Sequence, residues 1–221
     1  VNTATKHRHG PGQTAASARA ALAFALAAAA GLAHPAAQAA ETVTECDRLA
    51  SHPEDGQRVA PGVERKDIDI PRALAVCAKA VADAPGNARL RYQYARLLFY
   101  GNQTADAMRE MRRSADDGHA QAQFVFGTFI TRSRPDAPKD VCLAESYWKR
   151  SGAGGRQAAR VQYLRYTLQG AFDACPGKAS DDELVDILSA AQAASRNFYE
   201  GLLLEDLATA LTRRLTAAPG S

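Results

Sequence analysis

The chain is poor in the residues and patterns that most chemistry needs. Of its 221 residues only 7% are aromatic, five are histidine and four are cysteine. No C-x-x-C pair, H-E-x-x-H run, G-x-S-x-G elbow or P-loop occurs. The signatures of a dithiol redox centre, a zinc protease, an α/β-hydrolase and a phosphate-binding loop are therefore missing. Past residue 39 only His52 and His119 remain, too few beside widely spaced cysteines for a zinc set. His52 precedes Pro53 in a loop and His119 falls in a turn. Neither has a sequence neighbour to position it as a general base. No catalytic residue, metal or cofactor is expected. The acid pair Asp181-Asp182 stands at a helix start, where the helix dipole favours it. One alternative stays open: carboxylates dispersed along the chain and gathered by folding, as in an exported enzyme acting on cell-wall polymer.

Acids are absent before Glu41, whereas Lys6, Arg8 and Arg19 are basic. The run ALAFALAAAAGLA over 21–33 has the length of a signal-peptide apolar region and is too short to span a bilayer. Ala37-Gln38-Ala39 gives the small-x-small pattern, so cleavage is expected after Ala39, with an uncleaved anchor as the alternative. The formal charge of +3 comes from 27 basic and 24 acidic residues. The segment 1–39 holds three of those bases and no acid, which leaves the rest balanced. A balanced domain gives no global attraction to nucleic acid or acidic membrane. The basic run REMRR (109–113) is split by Met111 and has no interleaved aromatics for base stacking. No later apolar run reaches spanning length. We therefore expect a periplasmic or secreted protein with no stable membrane insertion after cleavage.

Helical periodicity dominates the chain beyond residue 40, and no alternating strand pattern persists. Helices are predicted over about 41–50, 71–84, 88–100, 104–117, 119–132, 140–152, 156–170, 181–194 and 197–216, with a loop over 52–67. Asp69 is placed to cap the second, with Pro71 in its first turn, and Ser180 with Glu183 forms a capping box. The turns PGN, GNQ, DDG and SGAGG are short, which favours antiparallel neighbours.

The chain also repeats itself. A shift of 32 residues lays Gly86 on Gly118, Ala88 on Ala120, Tyr92 on Phe124, Tyr94 on Phe126, Ala95 on Gly127 and Leu98 on Ile130. A further shift of 37 brings Gly118 to Gly155, Ala122 to Ala159 and Phe126 to Tyr163. The second helix of the unit repeats as well: Ala107, Met111, Ser114 and Gly118 recur as Ala144, Trp148, Ser151 and Gly155. Gly127, which costs a helix about 1 kcal/mol against Ala, reads as a place where a second helix lies close, with Ala144 and Ser151 approaching it. Leu164 breaks that small-residue position in the third unit.

These residues resemble the Sel-one-like repeats, a branch of the tetratricopeptide-like helical hairpins. The resemblance rests on G-x-A-x-A-x-x-x-F-G at 118–127, on Asp140, Ala144 and Tyr147-Trp148, and on the spacing from Ala95 through Ala107 and Met111 to Ser114. It covers about residues 71–170. The turn TRSRPDAPKD departs from it, with Ser133 where glycine is typical. The implied fold is all-α, a right-handed stack of antiparallel helical hairpins forming an α-solenoid. We divide it into an N-terminal hairpin (40–86), repeats over 87–118 and 119–155, a degenerate repeat (156–195), and a capping helix with tail (196–221). The four cysteines allow three pairings. Neighbouring helices favour Cys46 with Cys77 and Cys142 with Cys175. By the resemblance, the first helix of each hairpin lines a concave groove. That groove would present Arg89, Tyr92, Arg96 and Tyr100, then Gln121, Phe124, Thr128 and Arg132, then Arg165 and Gln169. Arginines beside aromatics suit a protein partner with an acidic or extended segment. The implied work is non-catalytic protein–protein interaction, as an adaptor or assembly factor.

Overall fold

The computed structural model describes residues 42–217; the predicted export segment and its cleavage site lie outside them. Among the described residues the regular structure is entirely helical. Helix α1 (Glu45–Ala50) starts later than expected, because Thr44 and Asp47 close a capping box there. A loop with one 3-10 turn at Arg65–Asp67 leads to α2 (Ile70–Asp83), capped by Asp69 with Pro71 in its first turn. Three hairpins come next: α3 (Ala88–Tyr100) with α4 (Thr104–Asp116), α5 (Ala120–Thr131) with α6 (Val141–Ala153), and α7 (Gln157–Leu168) with α8 (Asp181–Ala193). Ser180 and Glu183 form the expected box at α8. The last helix is α9 (Phe198–Ala217). Each helix packs on the one before and the one after, and α9 also reaches back to α7. The fold is a solenoid of helical hairpins.

The repeat is visible atom by atom. Ser114 Oγ donates to the Ala88 carbonyl at 2.7 Å, and Ser151 Oγ to the Ala120 carbonyl at 2.6 Å. In both hairpins the small residue of the second helix thus closes onto the start of the first. Gly118 and Gly155 have φ of 91° and 89°, and the amides of His119 and Arg156 return to the carbonyls of Ser114 and Ser151. This is the left-handed helix ending that glycine makes without steric cost. Ser133 occupies the same position after α5 with φ 47°, where the Arg134 amide returns to Phe129. Gly86 aligns with these glycines but has no positive φ. There α2 is already finished at Asp83, two residues before Pro85.

Gly127 meets one of its two expected neighbours, Ala144, and Trp148 in place of the other, Ser151. Ser151 is engaged at the start of α5, so the Trp148 indole lies over Gly127 instead. A Cβ on Gly127 would sit 2.7 Å from Trp148 Cδ1 and Nε1 and 3.3 Å from the Ala144 carbonyl. Trp148 cannot move aside easily. It is buried, and its Nε1 donates to the Phe124 carbonyl at 3.0 Å.

Three apolar clusters succeed one another along the stack. The first joins Cys46, Ala50, Ala73, Cys77, Leu90 and Leu97. The second is built on Tyr92, Met111, Phe126 and Tyr147, with Phe126 and Tyr147 edge to face. The third gathers Trp148, Tyr163, Leu164, Phe172 and the leucines of α8 and α9. Leu164 is fully buried in this last cluster. Disulfides Cys46–Cys77 and Cys142–Cys175 tie the first and third clusters. Sequence separations of 31 and 33 correspond to roughly 3–4 kcal/mol each in the chain-entropy model.

Gly127→Ala distinguishes close packing from a merely poor helix. Propensity alone would raise stability by about 1 kcal/mol. Overpacking against Trp148 costs about 1–3 kcal/mol, so we expect a net loss of up to about 2 kcal/mol in urea unfolding, and a gain of about 1 kcal/mol would contradict close packing.

Candidate functional site

The face formed by α3, α5 and α7 divides into a filled half and an open half. In the filled half lies the chain's own segment 51–64, which runs from α1 as a loop with its ends joined: the Val63 amide donates to the Ser51 carbonyl at 2.8 Å. Arg96 holds both ends. Its guanidinium donates to the carbonyls of Ala50 and Ser51 at 3.1 Å and of Val63 at 2.9 Å. Its Nε donates to the Tyr100 hydroxyl at 3.0 Å, and the Arg65 guanidinium lies over that ring, 4.7 Å from its centre. Gly62 passes so close to the Pro53 backbone that no side chain fits there.

The loop's acidic tip reaches the start of α5 and beyond. Asp55 Oδ2 lies 3.2 Å from His119 Nε2, both groups being buried. The other nitrogen of His119, Nδ1, accepts from the Ala122 amide, so this side chain is also the cap of α5. Gln57 Oε1 accepts from the Ala120 amide at 2.7 Å, a second cap on the same helix. Glu54 lies 3.7 Å from Arg156 and 3.8 Å from Arg196. The Tyr92 ring lies between the two histidines, tilted to both, 5.0 Å from His119 and 6.5 Å from His52.

This placement corrects the groove for half of its residues. Arg89, Tyr92, Arg96 and Gln121 are buried, and Tyr100 is half-buried between two arginines. Arg89 forms an ion pair with buried Asp47, which also accepts from Gln93 Nε2 at 2.9 Å and from the Thr44 amide at 2.8 Å. Breaking such a buried pair costs about 3–5 kcal/mol, so Arg89 belongs to the fold. The resemblance put these residues on one face, but there α1 engages Arg89 and the aperiodic loop covers Tyr92 and Arg96. His119 is likewise corrected. It has a positioned partner in Asp55, which no sequence spacing announces.

The other five residues remain accessible. Phe124 and Thr128 are half-buried, and Arg132, Arg165 and Gln169 are exposed. Arg132 and Arg165 form no ion pair among the described residues. Sequence reasoning missed Glu54, Asp55, Gln57, Arg156 and Gln157. For the last, a signal existed: the 37-residue shift that aligns Gly118 with Gly155 also aligns Ala120 with Gln157.

Two groups of the loop itself, His52 and Asp55, have titration shifts that bear on stability in acid. Burial, with Arg96 and Arg156 nearby, lowers the His52 imidazole from 6.5 to about 4, against the weaker opposing pull of Asp55 and Glu54. Burial pushes the Asp55 carboxyl up, but the hydrogen bond and charge of His119 and the Gln57 amide outweigh it, and Asp55 stays below its ordinary value. The signs give separate windows. Between pH 6.5 and 4 the unfolded chain takes up a proton at position 52 that the folded chain does not, so stability falls as pH drops through that window. The Asp55 contribution is present above about pH 3.9 and is lost only as pH falls below it, through the depressed folded value. We expect the urea midpoint to decrease from pH 7 to pH 4.5, and His52→Gln to reduce that slope. Equal slopes in the two proteins would contradict the assignment.

No family model and no curated protein matches this chain. Among solved structures, the Sel1 repeat protein from Oxalobacter formigenes is similar to it. The match covers 61% of this chain and 98% of that chain, at 22% identity and a TM-score of 0.49.

Proposed function

We propose that this chain is a non-catalytic adaptor that binds an acidic, extended segment of a protein partner on the open half of the α3–α5–α7 face. The observation that carries the reading is the pair Arg132 and Arg165, exposed and without ion pairs among the described residues, beside Phe124, Thr128 and Gln169. They continue a face whose other half already holds an acidic stretch of tight turns, HPEDGQ (52–57), through arginine, histidine and a helix start. Aromatic and arginine side chains at one surface are the types that dominate binding energy. Hairpin stacks of this kind bury one continuous core and leave a long face free.

The reading places the work outside the cytoplasm. Two disulfides and, among the described residues, no free cysteine support an oxidising compartment. The basic, apolar and small-residue pattern before residue 40 supports export. Among the described residues no helix is long and apolar enough to cross a membrane.

A photocrosslinking amino acid at Thr128 tests the binding face in cells. A discrete protein adduct is expected, and Arg132→Glu with Arg165→Glu should reduce it at least tenfold without changing thermal stability, since both side chains are exposed. An adduct undiminished by the double charge reversal would overturn the reading.

A further inference from the structure

The three first helices of the hairpins begin side by side, and they are not finished alike. At α3 the Asn87 side chain accepts from the Leu90 amide. At α5 His119 caps the Ala122 amide and Gln57 supplies a carboxamide oxygen to the Ala120 amide. At α7 the cap position is Arg156, which makes no side-chain cap. Gln157, the repeat equivalent of Ala120, finds no acceptor for its amide among the described residues. A helix start leaves four such donors to be satisfied.

The start of α7 opens on a cavity of about 260 Å³ whose walls include Glu54, Asp55, Gln121, Arg156, Gln157 and Arg196. Gln121 and Gln157 are 2% and 5% exposed, and the Oε1 of each is buried without a partner. The amide of Gln157 is oriented by its own Nε2, which donates to the Ala191 carbonyl at 2.7 Å, so its oxygen is the atom left over. Arg156 Nε is also buried and without a partner. The cavity therefore combines orphan acceptors with orphan donors, and leaving either kind unmade costs about 1–3 kcal/mol per group. Two carboxylates and two guanidiniums balance its formal charge.

We propose that this cavity receives a primary carboxamide, the side chain of a glutamine or asparagine in the partner segment. A carboxamide has an oxygen for the α7 start and Arg156, and two N–H donors for Gln121 and Gln157. A carboxylate has no donor and would meet Glu54. The chain contains its own precedent in Gln57, whose carboxamide caps α5 one repeat earlier. The inference rests on the adaptor reading and sharpens it. Arg165 lies roughly 12 Å further along α7, at 1.5 Å per residue, a span covered by about four residues of extended chain. The partner segment would then carry its amide residue about four positions from an acid.

The test is an NMR titration of the 15N-labelled protein with acetyl-Gly-Gln-Gly-N-methylamide and with its Glu counterpart at pH 7. The Gln peptide should shift the backbone amides of Gln157 and Ala158 and the side-chain amides of Gln121 and Gln157, saturably and at least fivefold more tightly than the Glu peptide. Arg156→Ser gives α7 a hydroxyl cap of its own and should abolish the response. If that variant is unfolded, Arg196→Ala, at a rim side chain 65% exposed, should weaken binding at least threefold. No saturable shift at these amides, equal or tighter binding of the Glu peptide, or unchanged binding by the folded Arg156→Ser protein would overturn the inference. Failure here with the Thr128 adduct still sensitive to charge reversal at Arg132 and Arg165 would leave the adaptor reading standing. A normal peptide response with a charge-insensitive adduct would sink that reading instead.

Discussion

The guanidinium of Arg96 organises the functional half of this molecule. It is buried, and it faces no carboxylate in direct contact among the described residues; three main-chain carbonyls, from Ala50, Ser51 and Val63, take its donors instead. A buried charge is tolerated only when its donors are satisfied, and a loop is stable in a protein interior only when its carbonyls are. Each requirement meets the other here. By drawing both ends of the 51–64 loop to one point, Arg96 sets the loop across α3 and aims its acidic tip at α5 and α7. The Gln57 cap on α5, the Asp55–His119 pair and the Glu54 contacts all depend on that placement.

The solenoid makes this possible by repetition with small departures. Ser114 and Ser151 close successive hairpins in the same way, and Gly118 and Gly155 end successive helices in the same conformation. Against that regular background the irregular positions carry the specific chemistry. His119 and Arg156 stand in equivalent cap positions, yet one caps its helix and the other does not. Gln57 is present at one helix start, and a cavity at the next. The disulfides secure the two ends of the stack, α1 to α2 and α6 to the α7–α8 connection.

Much of the fold was legible in the sequence because periodicity, caps and turn glycines are local signals. Asp69 with Pro71 and Ser180 with Glu183 fixed helix starts within a residue, and hairpin adjacency was enough to pair the cysteines. Gly127 announced a close approach, although the large Trp148 rather than Ser151 supplies it. The site was half legible. The family resemblance pointed to the face that Arg89, Tyr92, Arg96 and Gln121 share with Arg132 and Arg165. It had no means of showing that α1 pairs with Arg89, or that residues 51–64, which have no period, fold back over Tyr92 and Arg96. Phe172 was missed for the same reason: it lies outside any helix and still fills the core beside Tyr163 and Tyr166.

The central claim is that the 51–64 loop is a bound part of the fold, held on the first-helix face by Arg96. Hydrogen exchange measured residue by residue in the wild-type protein and in Arg96→Met tests it most directly. The account predicts that the Val63 and Ala120 amides are protected in the wild type. In the variant both should exchange at least a hundredfold faster, while the mid-helix amides of α5 and α6 keep their protection. A Val63 amide that exchanges freely in the wild type, or one whose protection survives the loss of Arg96, would contradict it.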